Sequence, residues 1–384
     1  MAVYKLFPSK DASIYSGYPA MNAGLDPILD VANLVTNINP IAKVARSLVK
    51  FDQAQIVDVV NNIAKIQTAD WNNWSGSLKL NVAKATNVIL NSKVEVYPLA
   101  NAWNNGSGQY LDKPVNHTGV SWAFTDFSGS TKWSSEGFNP YITGSYPEDN
   151  KGGGAWYSGS LNYNLEATQS FNLRSDKDLD VDVTNALKVW YTQSQGLNRV
   201  TSIKNEGFIV KWENNKEFVT ESAITPQLSY YSVDTNTIYP PQLEIKWDDS
   251  SYVTGSLKVI NTPDLFVALD NNQGVFYSES INNFRLSVRP EFPARTFATQ
   301  SAYTVNMALP SQSLYAIKDL DTNEYVVDFD KEFTNISCDS TGSFFTVYMN
   351  GLEPERYYSI LIQTEIAGQT IVMDENYYFK VVNG

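Results

Sequence analysis

Short alternations of apolar and polar residues recur along this chain. Val94-Glu95-Val96-Tyr97, Phe208-Ile209-Val210-Lys211-Trp212, Leu243-Glu244-Ile245-Lys246-Trp247 and Phe284-Arg285-Leu286-Ser287-Val288 each place every second side chain on one face. That period of two is the signature of a strand with one buried and one wet face. Gly, Pro and Asn separate the runs, and aromatic residues, at 13% of the chain, supply much of their apolar content. Both features belong to a mostly β protein.

Helical spacing occurs in two places. From Asp52 to Ala64, the residues Ile56, Val59, Val60 and Ile63 recur at intervals of three and four behind Asp52, which predicts a surface helix capped by that carboxylate. Val183 to Trp190 forms a second, shorter candidate, with Thr184 as its cap. Between Pro27 and Val49 the pattern fits either a helix broken at Pro40 or strands bracketing a turn at Asn37-Ile38-Asn39-Pro40, and strands are favoured at Leu29 to Val31 and Ser47 to Phe51.

Turn formers concentrate at Asn104 to Gly108, Pro140 to Pro147 and Asp149 to Gly154, the expected rims of a β-sandwich. Fresh alternation after Asp248 to Gly255, and again after Pro290 to Ala294, divides the chain into 1–250, a linking β region or small subdomain at 251–292, and a closing domain at 293–384. In the closing domain Gly351-Leu352-Glu353-Pro354 leads to Tyr357-Tyr358 and the alternating Ile360, Ile362 and Thr364. This is similar to the turn into the F strand of immunoglobulin and fibronectin type III sandwiches, where one tyrosine turns inward and its hydroxyl satisfies a loop backbone group.

Composition removes several chemistries. The single cysteine, Cys338, cannot form a disulfide within the chain and is expected as a core thiol. The single histidine, His117, cannot build a His-rich zinc site or complete a recognisable triad. A net charge of −13 opposes binding along a phosphate backbone, so nucleic acid is not an expected partner. No run of 18 apolar residues calls for a membrane, and the opening Met1 to Pro8 lacks the apolar core of a signal peptide, which implies synthesis in a cytoplasm without export.

A more specific likeness runs through the first 250 residues. Phe7-Pro8-Ser9-Lys10-Asp11-Ala12-Ser13-Ile14-Tyr15, the strand Leu48 to Asp52 with its helix, Ala83 to Thr86, Val94 to Leu99 with Trp103, Gly119 to Trp122, Lys132-Trp133, and Asp180 to Thr184 with Trp190 resemble the DNRLRE family of β-sandwich modules. The resemblance covers Val3 to Trp247. It implies a jelly-roll β-sandwich like those of carbohydrate-binding modules, found on surface proteins and phage structural proteins. Ser16 to Asp26 and Pro140 to Tyr157 depart from the family pattern as insertions. The matches are core and turn positions, so no sugar-binding residue carries over.

Candidate sites are few. Asp176, Asp178, Asp180 and Asp182 lie two apart, and an extended backbone would point all four carboxylates one way, a weak candidate for calcium set against backbone caps on a solvated face. Trp71, Trp74, Trp133, Tyr141, Tyr146, Trp156 and Tyr157 fall in or beside Asn- and Gly-rich segments, where an exposed ring would stack on a sugar or anchor a protein partner. Trp103, Trp122, Trp190, Trp212 and Trp247 are expected in packing. No motif selects a catalytic pair from 41 acidic residues, so no enzyme activity and no cofactor are expected.

The expected protein is mostly β: a jelly-roll-like sandwich with a surface helix, followed by one or two immunoglobulin-like sandwiches. Joined to a start without an export signal, that resembles a structural protein of a tailed-bacteriophage virion, in head, neck or tail. Its expected partners are other virion proteins and further copies in a symmetric assembly. The alternative is a carbohydrate-binding adhesin for host-surface glycans.

Overall fold

The computed structural model describes residues 2–36, 39–66, 73–88, 91–133, 142–144, 152–157, 164–196, 203–213, 217–218, 226–293 and 306–384. The chain is mostly β and divides into two compact units. One comprises Leu6–Asn61 and Ser75–Glu244; the other comprises Met1–Lys5, Asn62–Trp74 and Ile245–Gly384. Among the described residues no helix is long and apolar enough to cross a membrane.

The first unit is organised by an eight-stranded sheet. From strand to hydrogen-bonded strand it runs Ala167–Phe171, Ser92–Pro98, Phe208–Trp212, Asn39–Lys50, Ile28–Thr36, Gln227–Tyr231 and Val82–Thr86. The long strand Asn39–Lys50 pairs through its first half with Ile28–Thr36 and through its second half with Lys10–Tyr15. This change of partner along one strand curls the sheet, as right-handed twist does over long strands. The favoured strand reading of Pro27 to Val49 holds, with both strands longer than expected. In a smaller sheet Trp74–Leu80 pairs with Leu179–Asp182.

Both expected helices form. Asp52 accepts a hydrogen bond from the Ala54 N–H at 2.9 Å and starts the helix Gln53–Asp58, which continues as a π-turn over Val59–Ile63. Ile56, Val59 and Val60 are buried, the stripe that the spacing predicts. The second helix, Thr184–Ser194, runs a turn beyond Trp190. The Asp182 carboxylate takes the Thr184 N–H at 2.8 Å at its start, while the Thr184 hydroxyl accepts from the Gly76 N–H at 2.9 Å. Trp190 is fully buried, its ring centroid 4.7 Å from that of Phe208 in the large sheet.

In the second unit a sheet ordered Leu265–Leu269, Ile281–Pro290, Gly342–Tyr348, Ser337–Asp339 and another ordered Val275–Tyr277, Gln369–Val382, Tyr357–Ile366, Leu314–Asp319, Tyr325–Val327 feed one apolar cluster. Val267, Phe284 and Phe345 come from the former, and Tyr315, Tyr358 and Phe379 from the latter. Residues 251–292 thus share their core with the closing strands. Tyr358 lies inside and its hydroxyl donates to the Glu353 carbonyl at 3.0 Å, with Leu352 buried beside the turn. Cys338 is buried in this unit, as expected of a core thiol.

Candidate functional site

The polar face of the large sheet departs most from its sequence pattern. Alternation in Val94 to Tyr97 and Phe208 to Trp212 predicts that Glu95 and Lys211 face water. Every residue of Phe208–Trp212 is buried instead, and Glu95 with it. Lys211 and Glu95 stand directly opposite on neighbouring strands. Arg46, on the next strand, is also fully buried.

These charges pair with each other and with Glu217. Arg46 Nε donates to Glu217 Oε1 at 2.6 Å and Nη2 to Oε2 at 2.8 Å, a two-point contact. Lys211 Nζ lies 3.0 Å from Glu95 Oε2 and 3.9 Å from Glu217 Oε2, and also donates to the Trp212 carbonyl at 2.9 Å. Two cations and two carboxylates therefore cancel in a space withdrawn from water. Burial pushes the Lys211 amine below its usual range, and Arg46 adds to that push, while Glu217 and Glu95 oppose it. Tyr97 donates to Glu95 Oε2 at 3.2 Å, and its hydroxyl is held well above the ordinary tyrosine range by burial and then by the Glu95 charge. At the margin Lys93 links Glu95 and Glu166, at 3.3 and 3.5 Å.

Aromatic rings roof the network. The Arg46 guanidinium lies 4.8 Å from the Trp122 ring centroid, 5.2 Å from that of Trp156 and 5.7 Å from that of Phe218, and the Lys211 ammonium 5.4 Å from that of Trp156. Cation–π attraction adds to the ion pairs at such distances. Trp103, Trp122, Trp133 and Trp156 cluster with Ile14, Leu48 and Ile209 of the sheet. The glycine run explains how the roof closes. Gly153 has φ +84°, and its carbonyl accepts from Arg46 Nη1. A Cβ there would come within 2.7 Å of Arg46 Nη1 and of the Trp122 ring, so only glycine fits this approach.

The other expected site residues are distributed as follows. Trp74, Trp133, Trp156 and Tyr157 are buried, so none offers a ring face to a sugar or partner at the surface. Trp133 spends its indole N–H on the Ser121 carbonyl at 2.9 Å, and Trp156 belongs to the roof of the network. Their glycine-rich surroundings reflect close packing over a charged sheet. Trp71, Tyr141 and Tyr146 lie outside the described residues. Trp103, Trp122, Trp190, Trp212 and Trp247 are all buried, in agreement with packing.

The four aspartates do not converge. The strand comprises only Leu179–Asp182, so Asp176 and Asp178 precede it and the backbone does not align all four. Asp178 accepts from the Val82 N–H at 2.7 Å, Asp182 from Thr184, and Asp176 from the Lys177 N–H at 2.6 Å, while Asp180 sits 3.5 Å from Lys79. Among the described residues no group of three or more His, Cys, Asp or Glu side chains is placed to hold a metal ion.

Sequence reasoning missed Arg46, Glu95, Lys211 and Glu217 altogether. One signal pointed to them: four tryptophans between Trp103 and Trp156, set among turn residues, need a surface to cover, and the polar face of the sheet is that surface. As arranged, both glutamates are committed to cations, and the network links three strands and the glycine loop.

No protein-family model matches the chain, and no curated protein matches its sequence. Among solved structures it is similar to a DUF4785 family protein from Legionella pneumophila subsp. pneumophila str. Philadelphia 1, with 8% identity and a TM-score of 0.18 over 100% of this chain and 62% of that one. It is also similar to the beta-glucuronidase of Parabacteroides merdae, with 10% identity and a TM-score of 0.17 over 80% of this chain and 28% of that one. The chain spans less than two thirds of the length of either, and at these TM-scores neither likeness bears on fold or activity.

Proposed function

We propose that this chain is a structural subunit, a rigid β scaffold that acts through protein–protein contacts in a symmetric assembly of the kind built by tailed-phage virions. In this reading the first unit is a DNRLRE-like jelly roll and the second an immunoglobulin-like sandwich. The curled sheet supports the former, and the Tyr358 turn with two sheets around one cluster supports the latter. One observation carries the functional part: the charged centre is internally paired, and Trp133 and Trp156, two of the rings expected to bind, are spent on covering it. A buried charged centre whose members pair with one another suits a load-bearing subunit. The test is quantitative mass spectrometry of purified particles. Stoichiometric copies per particle are expected, and absence or trace occupancy would defeat the reading.

A second reading, a glycan-binding module, is favoured by one feature. Tyr18 and Tyr110 are each 38% exposed and meet edge to face at 6.2 Å, and the Asp26 carboxylate accepts from the Tyr110 N–H at 2.8 Å. Half-exposed rings beside a carboxylate are the elements of a sugar shelf. A glycan array on the full chain decides it: a specific hit lost in Tyr110→Ala supports this reading, and no binding at millimolar glycan excludes it.

A further inference from the structure

Within the buried charges of the first unit, one pair has a geometry that suits bond formation. Lys211 and Glu95 stand directly opposite each other on the strands Phe208–Trp212 and Ser92–Pro98. The Lys211 side chain is 0% exposed and that of Glu95 7%. Lys211 Nζ lies 3.0 Å from Glu95 Oε2, which sets the nitrogen beside the carboxyl carbon. The Trp156 and Tyr97 ring centroids lie 5.4 and 5.8 Å from the same ammonium. In water an ammonium and a carboxylate resist condensing to an amide, because hydration favours the ions. Here that hydration is already lost, and joining the two groups would remove two buried charges while Arg46 and Glu217 continue to cancel each other.

The surrounding groups match the parts of that reaction. Each oxygen of Glu95 has a further donor: Lys93 Nζ lies 3.3 Å from Oε1, and the Tyr97 hydroxyl donates to Oε2 at 3.2 Å. Lys93 reaches in from the margin, where its side chain is 34% exposed, and its ammonium faces the oxygen on which negative charge would develop. Glu217 Oε2, 3.9 Å from Lys211 Nζ, places a second carboxylate at the nitrogen, in position to carry a proton. Burial favours the neutral form of the Lys211 amine, which is the form that attacks a carboxyl carbon.

We propose that Lys211 and Glu95 condense within the folded chain to an amide that crosslinks their two strands and releases one water. The Lys211 ammonium first gives a proton to Glu95 Oε2, leaving a neutral amine and a neutral acid. The nitrogen lone pair then forms the N–Cδ bond as the carbonyl electrons move onto Oε1, opposite Lys93. The nitrogen passes a proton to Glu217. The Oε1 carbonyl re-forms, the Cδ–Oε2 bond breaks, and the departing hydroxide takes the proton back from Glu217 and leaves as water. No oxidant, metal or cosubstrate enters the balance. The product joins positions 116 residues apart and does not depend on the assembly reading.

Intact-mass spectrometry of the full chain, denatured after purification, tests it. The parent is expected to be lighter than its sequence mass by one water. Trypsin should then release residues 94–132 joined to residues 205–216, with no cleavage after Lys211. Lys211→Arg keeps a cation opposite Glu95 without an amine and should show its full sequence mass. Glu217→Gln, read on chains that keep the parental tryptophan emission, should show its full mass as well. A parent at full sequence mass, with trypsin cutting after Lys211, overturns the proposal. A missing water that persists in Lys211→Arg, or that maps to other peptides, also overturns it. Joined peptides in Glu217→Gln would overturn the proton-carrying role given to Glu217.

Discussion

Arg46 and Glu217, 171 residues apart in sequence, meet at two points with both side chains out of reach of water. A buried pair of this kind is costly to break and cheap to replace whole, because losing one partner strands a desolvated charge. Glu217→Gln should therefore destabilise the first unit by about 3–5 kcal/mol. Arg46→Met combined with Glu217→Leu should cost less than the sum of the two single changes by about 2 kcal/mol or more. Tryptophan fluorescence during urea unfolding reads the transition directly, since Trp122 and Trp156 lie against Arg46. Additive single effects would show that the two side chains act independently.

Gly153→Ala should destabilise the same unit by about 1–3 kcal/mol. The residue sits at φ +84°, and its new methyl group would press on Arg46 Nη1 and the Trp122 ring. The expected signature is a lower urea midpoint together with a red shift of tryptophan emission as the roof loosens. A variant with parental midpoint and spectrum would mean that the glycine run does not seal the network.

Tyr358→Phe removes one hydroxyl and leaves the ring in the core. Loss of its bond to the Glu353 carbonyl should cost about 1 kcal/mol, within the range for a single hydrogen bond. Tyr357→Phe, at the neighbouring exposed position, should change stability by less than about 0.5 kcal/mol. Chemical unfolding of the two variants side by side checks the contrast. Equal losses would remove the distinction between the inward and outward tyrosine.

What the sequence disclosed and what it hid follow from the distance over which each feature is decided. The Asp52 cap, the Ile56-Val59-Val60 stripe and an inward tyrosine at Tyr357-Tyr358 are set within a few residues of their partners, and these were legible, although the sequence did not choose Tyr358 over its neighbour. The alternation of Val94 to Tyr97 and Phe208 to Trp212 correctly implied strands, yet it implied the wrong surroundings for Glu95 and Lys211. Period-two patterning reports which side chains share a face and says nothing of what covers that face. Here the cover comes from loops as distant as Trp122 and Gly153, and the matching charges come from Arg46 and Glu217. The same omission made Trp133 and Trp156 look like surface rings: local glycine and asparagine suggested exposed loops, whereas the loops fold back over the sheet.

Asp11 makes the first unit's stability depend on pH. Burial raises its carboxyl from 3.8 to about 7, with repulsion from Asp234 adding to the rise and the Val233 N–H, donated at 2.7 Å, opposing it. Among the described residues its Oδ1 has no hydrogen-bond partner. The sign follows from proton counts. Between about pH 4 and pH 7 the folded chain holds a proton on Asp11 that the unfolded chain has released, so the contribution of this group to stability is full at low pH and is lost as pH rises through 7. Across that window the loss amounts to at most about 4 kcal/mol. Asp11→Asn keeps an oxygen for the Val233 N–H and carries no charge at any pH. The variant should match the parent near pH 4 and exceed it in stability at pH 8, with the difference opening between those limits. Urea midpoints for both chains across that range decide the matter, and a difference that stays constant with pH would show that Asp11 is ionised in the fold as it is in the unfolded chain.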